Sequence, residues 1–334
     1  MTDIPAALAT TAPDTGHRNR LADDATAAAD AAARAAGCRV QPVSALPDLE
    51  SVCRLFAGIW TPGGENGLVT TELLRAMDKA GNYVAAAFDA SEGDSGGGSG
   101  AGGIGHGDGR RDGRGDGRGD GGELVGACIG FFGPPPHGAL HSHIAGVSAR
   151  MRGRSVGFAL KAHQRAWALQ RGATQVSWTF DPLVRRNAFF NITKLAARPA
   201  EYLTNFYGRM NDGINGADDT DRLLVDWRLA APEVAAACHG HHRPADTAAA
   251  RAAGAAVALG ITADGRPTPG RVTGTGALVA VPADIEHLRR SDPRSAAAWR
   301  SALRDALGGP LADGWRVSGF DRDGWYILQR EDAQ

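Results

Sequence analysis

No apolar run in this chain reaches the ~18–20 residues that cross a bilayer. The opening stretch, Met1 to Ala36, has no basic start followed by an apolar segment. Neither a membrane span nor secretion is therefore expected, and the cytoplasm is the expected location. Cysteine is sparse: Cys38, Cys53, Cys128 and Cys238 are scattered and form no Cys-x-x-Cys pair. That argues against a disulfide framework and fits reduced thiols. Net charge is almost absent, with 36 basic against 37 acidic residues. Such a balance leaves no long-range field for a nucleic-acid backbone or an anionic lipid surface, so neither partner is expected. The run Cys238-His239-Gly240-His241-His242 fits no common zinc spacing and lacks a partner cluster, so no metal is expected. The tract Gly254–Gly260 is followed by no Lys-Ser or Lys-Thr, which excludes a P-loop.

Hydrophobic residues make up 43% of the 334 positions, enough for a packed core in one large or two ordinary domains. Residues 1–36 are rich in Ala, Thr and Asp and poor in large apolar side chains, so a disordered tail is expected. Residues 91–122 are a Gly/Asp/Arg tract, expected to be a flexible insertion; its Arg-Gly-Asp triplets read as drift in a polar linker. The tract separates the strand-like runs Tyr83–Asp89 and Leu124–Phe132, as in a hairpin with an inflated connection. Elsewhere the spacing predicts a strand at Arg39–Ser44, then helices from Pro47 and over Thr70–Met77. A strand at Leu140–Val147 and a long helix at Val156–Arg171 closed by Gly172 come after these. Next come a strand at Val176–Phe180, a helix at Asn187–Leu195, and strands at Tyr202–Met210 and Leu223–Leu229. Residues 37–230 then form the main domain, in the order β-α-α-β-β-β-α-β-α-β-β. Residues 231–275 read as a weakly patterned linker. Residues 276–334 read as a small α/β extension completing the main sheet, with strands Ala277–Val281, Trp315–Gly319 and Trp325–Gln329 and a helix Ser295–Leu307.

Chemistry concentrates between the fourth strand and its helix, at His141-Ser-His143-Ile-Ala-Gly-Val147-Ser-Ala-Arg-Met-Arg152-Gly153-Arg154-Ser155-Val156-Gly157. A helix N-terminus preceded by small residues offers unpaired backbone N–H groups and the positive end of the dipole, which suits a pyrophosphate. Arg152 and Arg154 add positive charge. In this strand order, Arg152-Gly-Arg-Ser-Val-Gly157 resembles the Arg/Gln-x-x-Gly/Ala-x-Gly/Ala signature of the GNAT superfamily of N-acetyltransferases, with Ser155 in place of the first small residue. The likeness spans roughly Arg39 to Leu229. The run Phe180-Asp181-Pro182 to Ala197 resembles a poorly characterised bacterial branch of predicted acetyltransferases. The resemblance implies an α+β fold: a GNAT-like three-layer αβα sandwich around a mixed, mostly antiparallel sheet.

The resemblance also implies direct acyl transfer from acetyl-CoA, or another acyl-CoA, to a small-molecule amine or amino-acid-like acceptor. Implied cofactor contacts are Val147, Arg152, Gly153, Arg154, Ser155, Val156, Gly157 and Asn187. Such a reaction needs a polarised carbonyl, a base for the acceptor and a proton for the departing thiolate. His141 and His143 alternate on one strand and are expected to face the same side as Ala145 and Val147. The serotonin N-acetyltransferase branch is similar here, with two histidines that relay the amine proton. The alternative is that both are hydrogen-bonded core residues. The superfamily's usual tyrosine acid is missing, because Ile192 stands at its place. Tyr207 and Tyr202 are substitutes or strand-packing residues. Asp181 binds a substrate ammonium or marks a turn, and Asn187 touches the CoA arm or caps its helix. Two rival functions remain: a catalytically decayed CoA-binding or sensing protein, and a scaffold. A homodimer is compatible with the sequence.

Overall fold

The computed structural model describes residues 15–60, 67–90, 122–134, 138–208, 218–272 and 274–330. The Gly/Asp/Arg insertion at 91–121 and the first fourteen residues lie outside the described residues. From Thr15 onward the chain corrects the expectation of a disordered tail: α1 (Thr15–Ala35) is a 21-residue helix. Its buried Ala25 and Ala29 pack with Ala162 and Ala166 of the later helix α4. Alanine on alanine lets two helices approach closely, so docking needs no large side chain, and alanine is the best helix former. A search for bulky apolar stripes misses such a helix.

The main domain continues through β1 (Cys38–Pro42), α2 (Leu46–Trp60), α3 (Thr71–Lys79), β2 (Tyr83–Asp89) and β3 (Leu124–Phe132). The Thr70 hydroxyl caps α3 by accepting from the Leu73 N–H. β4 (Ala139–Val147), α4 (Val156–Gln170), β5 (Gln175–Phe180) and α5 (Arg185–Ala188) come next, and α5 runs into a π-helical turn at Phe189–Lys194. β6 (Arg198–Leu203) and β7 (Arg222–Arg228) complete a seven-stranded sheet of order β1-β2-β3-β4-β5-β7-β6. Its ladders are antiparallel except for β4 with β5. α2 and α3 cover one face through Leu49, Val52, Phe56 and Leu74, against Val84, Ala86, Ala127 and Ile129. α4 and α5 cover the other through Val156, Leu160, Trp167 and Ala188, against Leu140, Val176 and Trp227. This is the three-layer αβα sandwich expected from the sequence. The sixth strand ends at Leu203 rather than Met210, so Tyr207 lies in a turn.

Residues 231–275 are not a linker. They hold α6 (Pro232–Cys238), α7 (Thr247–Ala252), β8 (Ala256–Ile261) and β9 (Pro267–Pro269). With β10 (Gly276–Ala280), α8 (Ile285–Ser291), α9 (Pro293–Leu303), α10 (Gly309–Ala312), β11 (Arg316–Phe320) and β12 (Trp325–Gln329) they build a second sheet. Its order, β11-β12-β10-β8-β9, is separate from the first, which overturns the expectation that the C-terminal strands extend the main sheet. β8 takes the slot beside β10, in parallel. The two sheets share one apolar core, fastened by Tyr326 Oη donating to the Pro182 carbonyl at 2.7 Å and Thr193 Oγ1 to the Phe320 carbonyl at 2.6 Å. Among the described residues no helix is long and apolar enough to cross a membrane.

Candidate active site

The parallel ladder between β4 and β5 has only three registers: Ala139 with Gln175, Leu140 with Val176 and His141 with Ser177. Beyond them the strands part and leave a split towards their C-terminal ends. The β3–β4 ladder is irregular at the same level: Ile129 pairs with Ile144 but Gly130 pairs with Ser142, so His143 is an extra residue in a bulge.

That bulge corrects the expected facing of the histidines. A Cβ on Gly146 would meet Ile59 and Trp60 of α2, so Ala145 and Val147 face α4. Ser142 also faces α4, where Lys161 Nζ donates to its Oγ at 2.8 Å. His141 is thereby turned to the opposite face, beside its cross-strand partner Phe131 with ring centroids 5.2 Å apart. His143 stays with them, 5.9 Å from Phe131 and 6.3 Å from His141. Burial lowers both imidazole pKa values; for His141, the neighbouring His143 and the Lys161 charge lower it further. Both rings are thus neutral at neutral pH and able to accept a proton.

The sheet register carries this face across β5 and β7. His141 pairs with Ser177, Ser177 with Asp226, and Asp226 with Arg198. Thr179 shares the face, and its Oγ1 lies 3.0 Å from Tyr207 Oη. The structure therefore brings His141, His143 and Tyr207 to one side of the sheet. Asp226 was missed by sequence reasoning. It accepts from Gln175 Nε2 at 2.7 Å, and burial raises its pKa while Arg228 opposes the rise. The buried alternation Leu223, Val225, Trp227 was the available clue that Asp226 points the other way.

Past β4 the chain makes a single 3-10 turn at Ala149–Met151, and Met151 is buried. Gly153 has φ +83° and Ser155 φ +63°, the left-handed region that only glycine adopts without strain. Ser155 caps α4 without a side-chain bond. Among the described residues the N–H groups of Gly153, Ser155, Val156 and Gly157 donate no hydrogen bond. A Cβ on Gly157 would touch only Val147 Cγ2, at 3.8 Å, so the space before this helix end is open. The Ser148 Oγ, which no motif singled out, is buried without a partner. Val156 is buried in the core, so only its backbone is offered. Arg152 is exposed at the loop, whereas Arg154 turns back towards Gly37 and Met151.

Behind the split lies a buried polar cluster. Lys161 Nζ donates to Ser142 Oγ and to Gln164 Oε1 (3.1 Å), and Gln164 Nε2 reaches Cys128 Sγ at 3.4 Å. Burial pulls the Lys161 pKa down to about 8, against a smaller opposing effect of Cys128.

Two other expected site residues have different roles, and a third, Asn187, loses one of its two readings. Asp181 is not open to a substrate ammonium: its oxygens accept from both Nη atoms of Arg300 at 2.9 Å, from Arg289, and from the Leu183 N–H at 3.0 Å. Asn187 is no helix cap, because Val184 holds that position in α5. Tyr202 is not available as an acid. Its hydroxyl donates to Asp221 Oδ2 at 2.7 Å, and burial with that carboxylate pushes its pKa far up.

No protein-family description matches the chain, and no curated protein matches it. Solved structures with a similar fold include the ribosomal-protein-S5-alanine acetyltransferase from Vibrio fischeri, 12% identical with a TM-score of 0.41; the match covers 58% of this chain and 94% of that one. An acetyltransferase of the GNAT family from Streptococcus pneumoniae is 12% identical with a TM-score of 0.39, covering 57% of this chain and 97% of that one. The ribosomal-protein-S18-alanine N-acetyltransferase from Escherichia coli is 9% identical with a TM-score of 0.39, covering 58% and 95%. These are distant likenesses; the fold stands on its own strand order and register.

Proposed function

We propose that this chain is an acyl-CoA-dependent N-acyltransferase that moves an acyl group, acetyl in the first instance, directly onto a small amine or amino-acid-like acceptor. The observation that carries the reading is one juxtaposition: four undonated N–H groups before α4 stand beside the split between β4 and β5. Such N–H groups at the positive end of a helix suit a pyrophosphate, and a slot between strands suits an extended arm. The residues present fit CoA: Gly153, Ser155, Val156 and Gly157 would hold the pyrophosphate through their backbones, with Arg152 adding charge. Ser148 Oγ has an unmet bond to offer. When bound, the acyl-CoA supplies a thioester-activated acyl group. Backbone groups of β4 beyond His141, unpaired on the β5 side, are suited to polarise a carbonyl. His141 and His143, held neutral, accept the proton that the acceptor amine must lose. Tyr207 offers a second proton position on the same face.

Calorimetry with acetyl-CoA, succinyl-CoA and CoA tests the reading, alongside Gly157→Glu. The open space at Gly157 lets the variant fold while placing a negative charge in the cradle. A charge of the wrong sign there weakens binding by roughly 100-fold, about 3 kcal/mol. A folded wild type that binds none of the three ligands ends the reading.

A further inference from the structure

We propose that Lys161 meets the leaving sulfur of the acyl donor and returns a proton to it, supplying the acid that the sequence lacks. This rests on the acyl-transfer reading above. Lys161 lies on α4, and its ammonium reaches both lips of the split. Ser142, its acceptor at 2.8 Å, is the first residue of β4 beyond the last β4–β5 pair. Trp178, whose ring centroid lies 3.8 Å from Nζ, is the first residue of β5 beyond the same pair. The charge therefore sits in the crotch where the strands separate.

Nothing in the fold requires a cation there. Lys161 is 4% exposed, and no Asp or Glu pairs with it among the described residues. The groups facing it are Cys128 on β3, Ser142 on β4, Trp178 on β5 and Gln164 on its own helix, while His141 lies across the sheet and senses its charge from there. A buried charge without a counter-ion is costly, and an apolar side chain of similar volume would pack more cheaply. The missing counter-ion is then an anion that comes and goes, and a thiolate released at the split is one.

The step balances. As the acceptor nitrogen bonds to the acyl carbon, the C–S bond breaks and its electron pair stays on sulfur. An Nζ–H passes to that sulfur, giving a thiol and a neutral Lys161, which regains a proton from solvent before the next turnover. The proton lost by the acceptor leaves separately through the histidine face. With its pKa drawn to about 8, Lys161 is close to matched with a thiol and well suited to donate.

The test needs no acceptor. Affinities of the full chain for CoA and for desulfo-CoA, which lacks the sulfur, are measured by calorimetry at pH 7, where Lys161 carries its proton before the ligand arrives, in two buffers of different ionisation heat. Wild type is expected to prefer CoA by at least ~10-fold and to release a proton as the thiol binds as thiolate beside the ammonium. Lys161→Met is expected to bind the two ligands within about twofold, without proton release. Equal affinities in wild type overturn the proposal and leave the acyl-CoA reading standing, whether or not the variant folds. A preference that persists in folded Lys161→Met overturns it as well. Failure of wild type to bind either ligand removes both readings.

Discussion

Replacing Asp181 by alanine separates two roles that one sequence position suggested. In the structure its carboxylate joins Asp218 in neutralising Arg289 and Arg300, all four side chains being 3–8% exposed. Arg300 donates from both Nη atoms to Asp181 at 2.9 Å, and from one of them to Asp218 Oδ2 at 2.9 Å. Removing Asp181 takes away a carboxylate that both buried guanidinium groups share. Breaking a buried pair in this way costs about 3–5 kcal/mol, a large share of the ~5–15 kcal/mol that holds a typical domain. The arginines lie on α8 and α9 and the aspartate comes just after β5, so the loss falls on the joint between the two sheets. Urea unfolding at pH 7 reads it directly. Asp181→Ala, Arg300→Met and the double variant complete a cycle, and the double variant is expected to be more stable than Asp181→Ala. The arginines hold the Asp181 carboxyl well below its ordinary pKa of 3.8, outweighing a desolvation that pushes it up. Its stabilisation is therefore full above that ordinary value and fades as pH falls through the folded one. A cost under ~1 kcal/mol, or a purely kinetic defect in a fully stable variant, would refute the structural role and restore the substrate contact.

His163, whose Nδ1 lies 2.9 Å from Tyr83 Oη, has its pKa lowered to about 4 by burial. The unfolded chain binds that proton near 6.5, so stability should fall as pH drops from 6.5 to 4, by up to about 3 kcal/mol. His163→Phe should flatten that part of the stability profile, read as the urea midpoint against pH; an unchanged slope would place the sensitivity elsewhere. Ala25→Leu should destabilise by about 1–3 kcal/mol by overpacking the contact of α1 with α4, whereas an undocked helix would not register the change in a melting curve.

Much of this architecture is written in local patterns, and the exceptions have physical causes. Apolar residues at helical or alternating spacing mark most elements from α2 to β5, because those elements bury large side chains in the sandwich. The alanine helix α1 and the strands β8 and β9 escape it, since small residues pack by proximity and β9 has only three residues. Loop chemistry around Arg152–Gly157 is legible because glycines and a left-handed serine answer to local backbone demands. The histidine pair is legible as a pair, yet its face depends on a register change set by the neighbouring strand. Asp181 is misread for a related reason: its partners come from Arg289 and Arg300, more than a hundred residues away.

The bulge at His143 has a consequence for how this strand can vary. Side chains before and after it are written in two reading frames, and the extra residue is the frameshift between them. Deleting that one position would leave Ile144, Ser142 and His141 opposite Ile129, Gly130 and Phe131 in an unbroken ladder, so Ser142 would keep Lys161 and His141 would keep its face. What the deletion removes is the second imidazole and the local twist that a bulge adds. One residue of length, with no change of composition around it, therefore decides whether the face turned away from α4 carries one imidazole or two.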